Sequence, residues 1–174
     1  MQNVIDLNFD KNLSPKIAEL YGMLSETRIR LLEEVEGITQ EQLDYSPNIT
    51  KIETIGTLLF HIAAIEFSWI YEDIFKKEMD YEEWKYAFAL RESLDPPQVT
   101  GRPMSFYLDK LRDLREKVYE TLQTMKDDQL QSIIESGTNK YTIFWILHHL
   151  NQHESLHIGQ INFLKRLYAN QVKS

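Results

Sequence analysis

The sequence predicts an all-α protein, a four-helix bundle, from three observations. Apolar residues recur at helical spacing in four long segments, no segment shows a convincing strand-like alternation, and the longest connection follows the second segment. Four amphipathic helices of this length bury their apolar stripes most simply against one another. The long link permits a crossover, which would let the second and third helices run parallel. We expect one domain over residues 1–174.

The first two helices have clear start signals. The first is predicted to begin at Ser14-Pro15, a capping residue followed by proline at the first helical position, and to end at Gly37. The second is predicted to begin near Thr54. Their apolar stripes consist of Ile17, Leu20, Leu24, Leu31 and Val35 in the first helix, and Ile55, Leu58, Ile62, Ile65 and Trp69 in the second.

The link over residues 76–103 is predicted to contain a short helix around Tyr81–Leu90. A turn is predicted at residues 136–139, and the fourth helix is predicted to run from near Tyr141-Thr142 to about Tyr168. The third helix has a stripe of Leu108, Leu111, Leu114, Val118, Leu122 and Met125.

Composition limits the classes of function. The net charge of −8 and the isoelectric point near 5.1 argue against nucleic acid and anionic membrane as partners, because both repel negative charge. The absence of cysteine excludes disulfides, thiolate metal sites and a cysteine nucleophile. The N-terminus lacks a signal-peptide pattern, and no apolar run approaches the ~18 residues that span a bilayer. We therefore expect a cytoplasmic protein.

The histidines are the most informative residues. Four of the five histidines, His148, His149, His153 and His157, lie on the last helix, and the fifth is His61. Burying an imidazole without a partner costs roughly 1–3 kcal/mol, so two core histidines one turn apart need a shared explanation. His153 and His157 belong to the inward stripe Ile146, Leu150, His153, His157, Ile161, Leu164 and Tyr168.

A metal ion supplies that explanation. Residues four apart are offset by about 40° around a helix and about 6 Å along it, so both rings can reach one ion. His61 lies near the inward stripe of the second helix and is the expected third ligand. Three histidines leave a coordination position open, and they suit zinc or nickel as well as copper or iron. The alternatives are hydrogen-bonded core histidines or a rival His149/His153 pair; we take His149 as a pocket residue.

The string from His153 to His157 also matches the H-E-x-x-H motif of zinc peptidases, in which Glu154 would act as general base. The extended motif fails because Gln160 and Phe163 stand where glycine and histidine are required. After His157 the chain has no further Asp, Glu or His, so the other form lacks its carboxylate ligand. The peptidase hypothesis is therefore the weakest of those considered, and Glu154 remains a candidate for handling a proton.

Two segments resemble the DinB/YfiT-like superfamily of metal-binding four-helix bundles. They are TIGTLLFHIAAIE in the second helix and HHLNQHESLHIGQINFLKR in the fourth, and the resemblance covers nearly the whole chain. It implies His61, His153 and His157 as the metal ligands and matches Gly159 and Gln160 after the last ligand. Ile158 replaces an arginine often found in the family. The resemblance also implies an up-down-down-up bundle with a crossover after the second helix, and a homodimer.

Characterised members of the family include thiol-dependent S-transferases and a mycothiol-dependent isomerase. The resemblance therefore predicts an enzyme in which a divalent ion activates a low-molecular-weight thiol or water to attack a small-molecule electrophile. Trp69, Trp145 and His149 are candidates for the substrate pocket, although Trp69 and Trp145 also fit plain core packing. The alternative is a non-catalytic metal-binding or stress-response protein.

Overall fold

We analysed a computed structural model, which describes residues 6–7, 9–47, 52–78, 80–88 and 97–172. The elements are α1 (Pro15–Val35), α2 (Gln40–Leu43), α3 (Ile55–Phe67) continued by a π-helical segment (Ser68–Ile74), α4 (Tyr81–Phe88), α5 (Met104–Leu122), a 3₁₀ helix (Asp127–Gln131), β1 (Ile133–Ser136), β2 (Asn139–Thr142) and α6 (Ile143–Gln171). The four long helices predicted from the sequence are α1, α3, α5 and α6, which confirms the all-α fold class. No helix in the described ranges is long and apolar enough to cross a membrane.

The predicted helix starts are confirmed at two positions. The hydroxyl of Thr54 accepts a hydrogen bond from the backbone N–H of Thr57, and the hydroxyl of Thr142 accepts one from Trp145. Ser14 precedes α1 as expected, but its side chain does not cap the helix. The carboxylate of Asp127 does so instead, accepting the N–H groups at the start of α1 at 3.1–3.2 Å.

Contacts between α1 and α6 give the relative direction of these two helices. Arg28 of α1 contacts Glu154 of α6, and further along both helices Glu34 contacts Lys165. The two contacts advance together along the chain, so α1 and α6 run parallel.

Contacts between α3 and α5 show the same order. Near the start of both helices, Gly56 lies against Tyr107, and near the end of α3, Glu66 pairs with Arg115. Helices α3 and α5 therefore also run parallel, which requires the crossover between them. On the α3–α6 side, His61 meets His153 whereas the later Trp69 meets the earlier Trp145, so these helices are antiparallel. The bundle is up-down-down-up.

The link between α3 and α5 covers part of the bundle. Within it, α4 lies where a short helix was predicted at Tyr81–Leu90, of which Leu90 is outside the described residues. The Trp84 ring of α4 stacks on Phe60 of α3 with 4.7 Å between ring centroids. This packing holds the middle of α4 against the middle of α3.

The expectation of no strands was wrong for one short segment. Residues 133–142 form an antiparallel hairpin in which Ser136 pairs with Asn139. The predicted turn at residues 136–139 is its loop, and Gly137 adopts φ +59°, which glycine tolerates and other residues resist. Each strand has four residues, too few for alternation to stand out in the sequence.

Helix α3 is the central element of the core. Every residue from Ile55 to Glu66 is buried. It approaches α5 closely at Gly56, where a Cβ atom would lie 2.6 Å from the hydroxyl oxygen of Tyr107. A side chain on Gly56 would therefore force the buried Tyr107 ring or the helix that carries it to move.

Candidate metal centre

Three histidines meet between α3 and α6. Nε2 of His153 lies 3.1 Å from Nε2 of His61 and 3.0 Å from Nε2 of His157. All three residues are buried, with 3%, 9% and 7% of their surface exposed for His61, His153 and His157. The structure thus brings together the three residues that the sequence selected as ligands.

Two of the imidazole rings are oriented by hydrogen bonds at their other nitrogen. Nδ1 of His61 donates to the backbone carbonyl of Ala87 at 2.6 Å, and Nδ1 of His157 donates to Oε1 of Gln160 at 2.5 Å. A carbonyl oxygen can only accept, so in a neutral ring the proton is at Nδ1 and Nε2 keeps its lone pair. Such support of the distal nitrogen is the usual arrangement around a metal-bound histidine.

The geometry and chemistry of the donors fit a metal ion. Four-coordinate nitrogens at about 2.0–2.1 Å from an ion are about 3.3 Å from one another, close to the two separations in the triad. The Nε2 lone pairs of His61 and His157 both face Nε2 of His153, an arrangement that a proton on His153 or a shared cation satisfies. Within the described part of the chain, His61, His153 and His157 form a group of three potential metal ligands whose donor atoms all lie within 4.8 Å of one another.

Burial lowers the pKa of His157, and its hydrogen bond to Gln160 opposes that shift only in part. A lowered pKa favours the neutral imidazole, which is the form that binds metals. The local environment therefore keeps this ring in its ligating state at lower pH than a solvated histidine.

An open cavity of about 340 Å³ adjoins the triad. Besides the three histidines it is lined by Glu53, Leu58, His149, Leu156 and Gln160. The walls thus combine two leucines with one carboxylate, and a small molecule in this space would lie beside the three histidines. His149 is the predicted pocket residue that lines it directly.

The other two predicted pocket residues support His149. The Trp145 ring stacks on the His149 ring at 4.7 Å with an interplanar angle of 10°, and Trp69 meets His149 edge-on at 5.9 Å. Tyr141, which sequence reasoning missed, stacks on Trp145 at 4.6 Å. Tyr141 of β2 and four residues of α6, Trp145, His149, His153 and His157, thus occur at every fourth position and form one column of rings. That spacing was visible in the sequence.

The carboxylate of Glu154 is engaged in ion pairs and does not have the free oxygen that the peptidase motif requires. Its side chain is buried, and its two oxygens accept from Arg28 at 2.5 Å and from Arg115 at 3.0 Å. A general base must instead present a free carboxylate oxygen to the reacting molecule. Sequence reasoning also missed the carbonyl of Ala87, because a backbone acceptor supplied by α4 leaves no residue-type signal.

Comparisons with known proteins agree with this architecture. The uncharacterized protein YkkA of Bacillus subtilis (strain 168) is 25% identical over 171 residues, which cover 96% of each chain. The uncharacterized protein YizA of the same organism is 30% identical over 123 residues, which cover 66% of this chain and 65% of YizA. A crystal structure of a conserved protein from Enterococcus faecalis has the same fold, with a TM-score of 0.65, 16% identity, and 89% and 97% of the two chains covered. Residues 23–161 match the sequence profile of the DinB superfamily, and the chain belongs to that family.

Proposed function

We propose that the protein is a metal-dependent enzyme in which His61, His153 and His157 hold a divalent ion, zinc or nickel, that activates a low-molecular-weight thiol or water. The observation that carries the proposal is the convergence of three Nε2 atoms at the wall of an open cavity. A site enclosed by four protein ligands would suit a structural ion, whereas three histidines leave one position for a ligand from the cavity.

A bound divalent ion lowers the pKa of a coordinated water or thiol, which makes the nucleophile available near neutral pH. The protein contributes orientation. Ala87 and Gln160 hold the rings of His61 and His157 through their Nδ1 atoms, so both rings keep their Nε2 atoms on the same point. Preset orientation lowers the entropy cost of binding the ion, because the two rings need not be rearranged.

The cavity favours a small electrophilic substrate. Leu58 and Leu156 supply an apolar wall, and Glu53 is the carboxylate among the lining residues. His149 forms another part of the wall, held by its stack on Trp145. We propose that this wall positions the electrophile beside the activated nucleophile.

Transfer and hydrolysis are separable by their dependence on thiol. Zn²⁺- or Ni²⁺-loaded protein would be assayed with monobromobimane and L-cysteine for thiol transfer, in which the thiolate displaces bromide, and with p-nitrophenyl acetate for hydrolysis. We expect a rate above the uncatalysed reaction that disappears in His153→Ala and persists in His148→Ala, which removes an exposed histidine of the same helix. Equal background rates in wild type and His153→Ala would reject metal-dependent catalysis.

A non-catalytic metal-binding protein is the second candidate, and the burial of all three histidines favours it. A structural ion contributes much of the folding free energy. Loss of most of the structure on addition of a chelator, followed by circular dichroism, would support this alternative. A metal-free protein that stays folded would support catalysis.

We also propose that the protein forms a homodimer and does not bind nucleic acid. The formal net charge of −8 supports the second statement, because phosphate backbones repel it. Light scattering coupled to size exclusion would give the mass of the particle directly. A mass of one chain, 20.7 kDa, would reject the dimer.

A further inference from the structure

Four buried charged residues form a closed cluster in the bundle, and each of the four long helices supplies one. The cluster, called here the ion-pair quartet, consists of Arg28 on α1, Glu66 on α3, Arg115 on α5 and Glu154 on α6. Each side chain is at most 10% exposed. The two positive and two negative charges balance, so the cluster is electrically neutral.

Both arginines bind both glutamates. Arg28 lies 2.7 Å from Glu66 and 2.5 Å from Glu154, and Arg115 lies 2.6 Å from Glu66 and 3.0 Å from Glu154. The guanidinium groups also tie α1 and α5 to each other, since Arg28 donates to the carbonyl of Leu111 at 2.9 Å and Arg115 to that of Leu24 at 2.8 Å.

The negative charges of the quartet lie on the helices that carry the three histidines, and the positive charges lie on the other two. The two carboxylates are on α3 and α6, the helices that carry the three histidines, and Glu154 directly follows His153. The two guanidinium groups come from the helices that carry none of the three. Each arginine, carried by α1 or α5, therefore bridges α3 to α6. The distance between the carboxylates of Glu66 and Glu154 is set by the guanidinium group that binds both.

Stability alone does not account for such a cluster. The desolvation of buried ions largely cancels their attraction, and well-packed apolar replacements are often neutral or stabilising. A charged network with directional hydrogen bonds is better suited to fixing one geometry, because bidentate pairs between a guanidinium and a carboxylate accept few orientations.

We propose that the ion-pair quartet positions the metal centre, by fixing the separation of α3 and α6 and the rotation of α6 about its axis. The inference rests on the proposed metal binding. A ring nitrogen roughly 6 Å from a helix axis moves by about 1 Å when the helix turns by ~10°, whereas metal–nitrogen distances tolerate about 0.2 Å. Holding Glu154 therefore controls the Nε2 position of the neighbouring His153.

The test removes one bridge without leaving an unpaired charge. The double variant Glu66→Gln/Arg115→Met keeps Arg28 paired with Glu154 and frees α3 from α5 at this level. We expect its Co²⁺ and Zn²⁺ affinities, measured by competition with a chromophoric chelator, to fall at least tenfold, and the visible absorption of the Co²⁺ form to change. Arg115→Lys keeps the charge without the bidentate bridge and should lie between this variant and wild type.

The control is an ion pair that joins α6 to α1 but not to α3. Glu34→Gln/Lys165→Met removes the 2.8 Å pair further along α6 and should leave the affinity and the Co²⁺ spectrum unchanged. Wild-type affinity and spectrum in the quartet variant would overturn the inference. If that variant does not fold, Arg115→Lys is judged by the same criterion.

Failure of the proposed function gives a different result. If wild-type protein itself binds Co²⁺ no better than His153→Ala does, the three histidines do not form a metal site and both proposals fall. If wild type binds and the quartet variant binds equally well, only the positioning role is rejected.

Discussion

Nε2 of His61 lies 3.1 Å from Nε2 of His153, although the two residues are 92 positions apart in the chain. A ligand that binds only this folded arrangement must stabilise it. With Zn²⁺ at one hundred times its dissociation constant, the gain is about 2.7 kcal/mol. For a chain of this length that corresponds to a rise in melting temperature of roughly 5–11 °C.

Differential scanning fluorimetry with and without Zn²⁺ measures this rise. We expect it in wild type and in His148→Ala, and we expect almost none in His153→Ala. A rise of the same size in His153→Ala would mean that the ion binds elsewhere.

The stability of the metal-free protein should depend on pH through His157. Because burial lowers the pKa of the folded imidazole below the usual 6.5, the unfolded chain binds the proton more readily. The free energy of unfolding should therefore fall as pH drops below about 6.5, by at most about 1.4 kcal/mol per pH unit from this residue. Urea denaturation in EDTA between about pH 7 and pH 5 measures the slope, which His157→Gln should reduce. An unchanged slope would contradict the assignment.

The close approach of α3 to α5 predicts opposite effects for two glycine substitutions. Gly56→Ala places a methyl group 2.6 Å from the Tyr107 hydroxyl and should destabilise the protein by about 1–3 kcal/mol. Gly159→Ala, at an exposed position of α6 with nothing within 4 Å of the new atom, should stabilise the protein by up to about 1 kcal/mol. Chemical denaturation gives both values, and similar losses for the two variants would refute the packing argument.

The ring column predicts that tryptophan fluorescence reports metal binding. Trp145 stacks on His149, whose ring is 6.0 Å from that of His153, so a paramagnetic ion such as Ni²⁺ at the triad should quench Trp145. Trp145→Phe should lose much of the quenching. Trp84→Phe is the matched control, because Trp84 stacks on Phe60 and does not belong to the ring column, and it should retain the quenching. Equal quenching in both variants would contradict the prediction.

The sequence predicted the helices because their apolar residues recur at helical spacing, and it predicted the triad because two histidines interrupted such a stripe. A short motif suggested Glu154 as a base, but the motif did not indicate that its carboxylate pairs with Arg28 and Arg115. The motif compares residue types along one helix, whereas the partners of Glu154 come from α1 and α5. Long-range pairing of charges has no local periodicity, so Arg28 and Arg115 carried no signal.

The sequence also did not predict the hairpin or the contact between His61 and the Ala87 carbonyl of α4, and the reasons are related. Each strand is four residues long, and the acceptor that orients His61 is a backbone carbonyl. Every residue type except proline carries the same backbone groups, so such a contact follows from the path of the chain and not from its composition.

Thr142 is at once the last residue of β2 and the residue whose side chain caps α6. The hairpin therefore fixes where α6 begins, and with it the direction in which each side chain of the helix points. One inserted residue between Thr142 and His153 would swing every later side chain by about 100° and send the ligands into the wrong neighbours. An insertion at the hairpin tip beside Gly137 would leave the start of α6 and the directions of its side chains unchanged. Length variation in this region is therefore confined by geometry to the loop, and the helical count from Thr142 to the histidines is fixed.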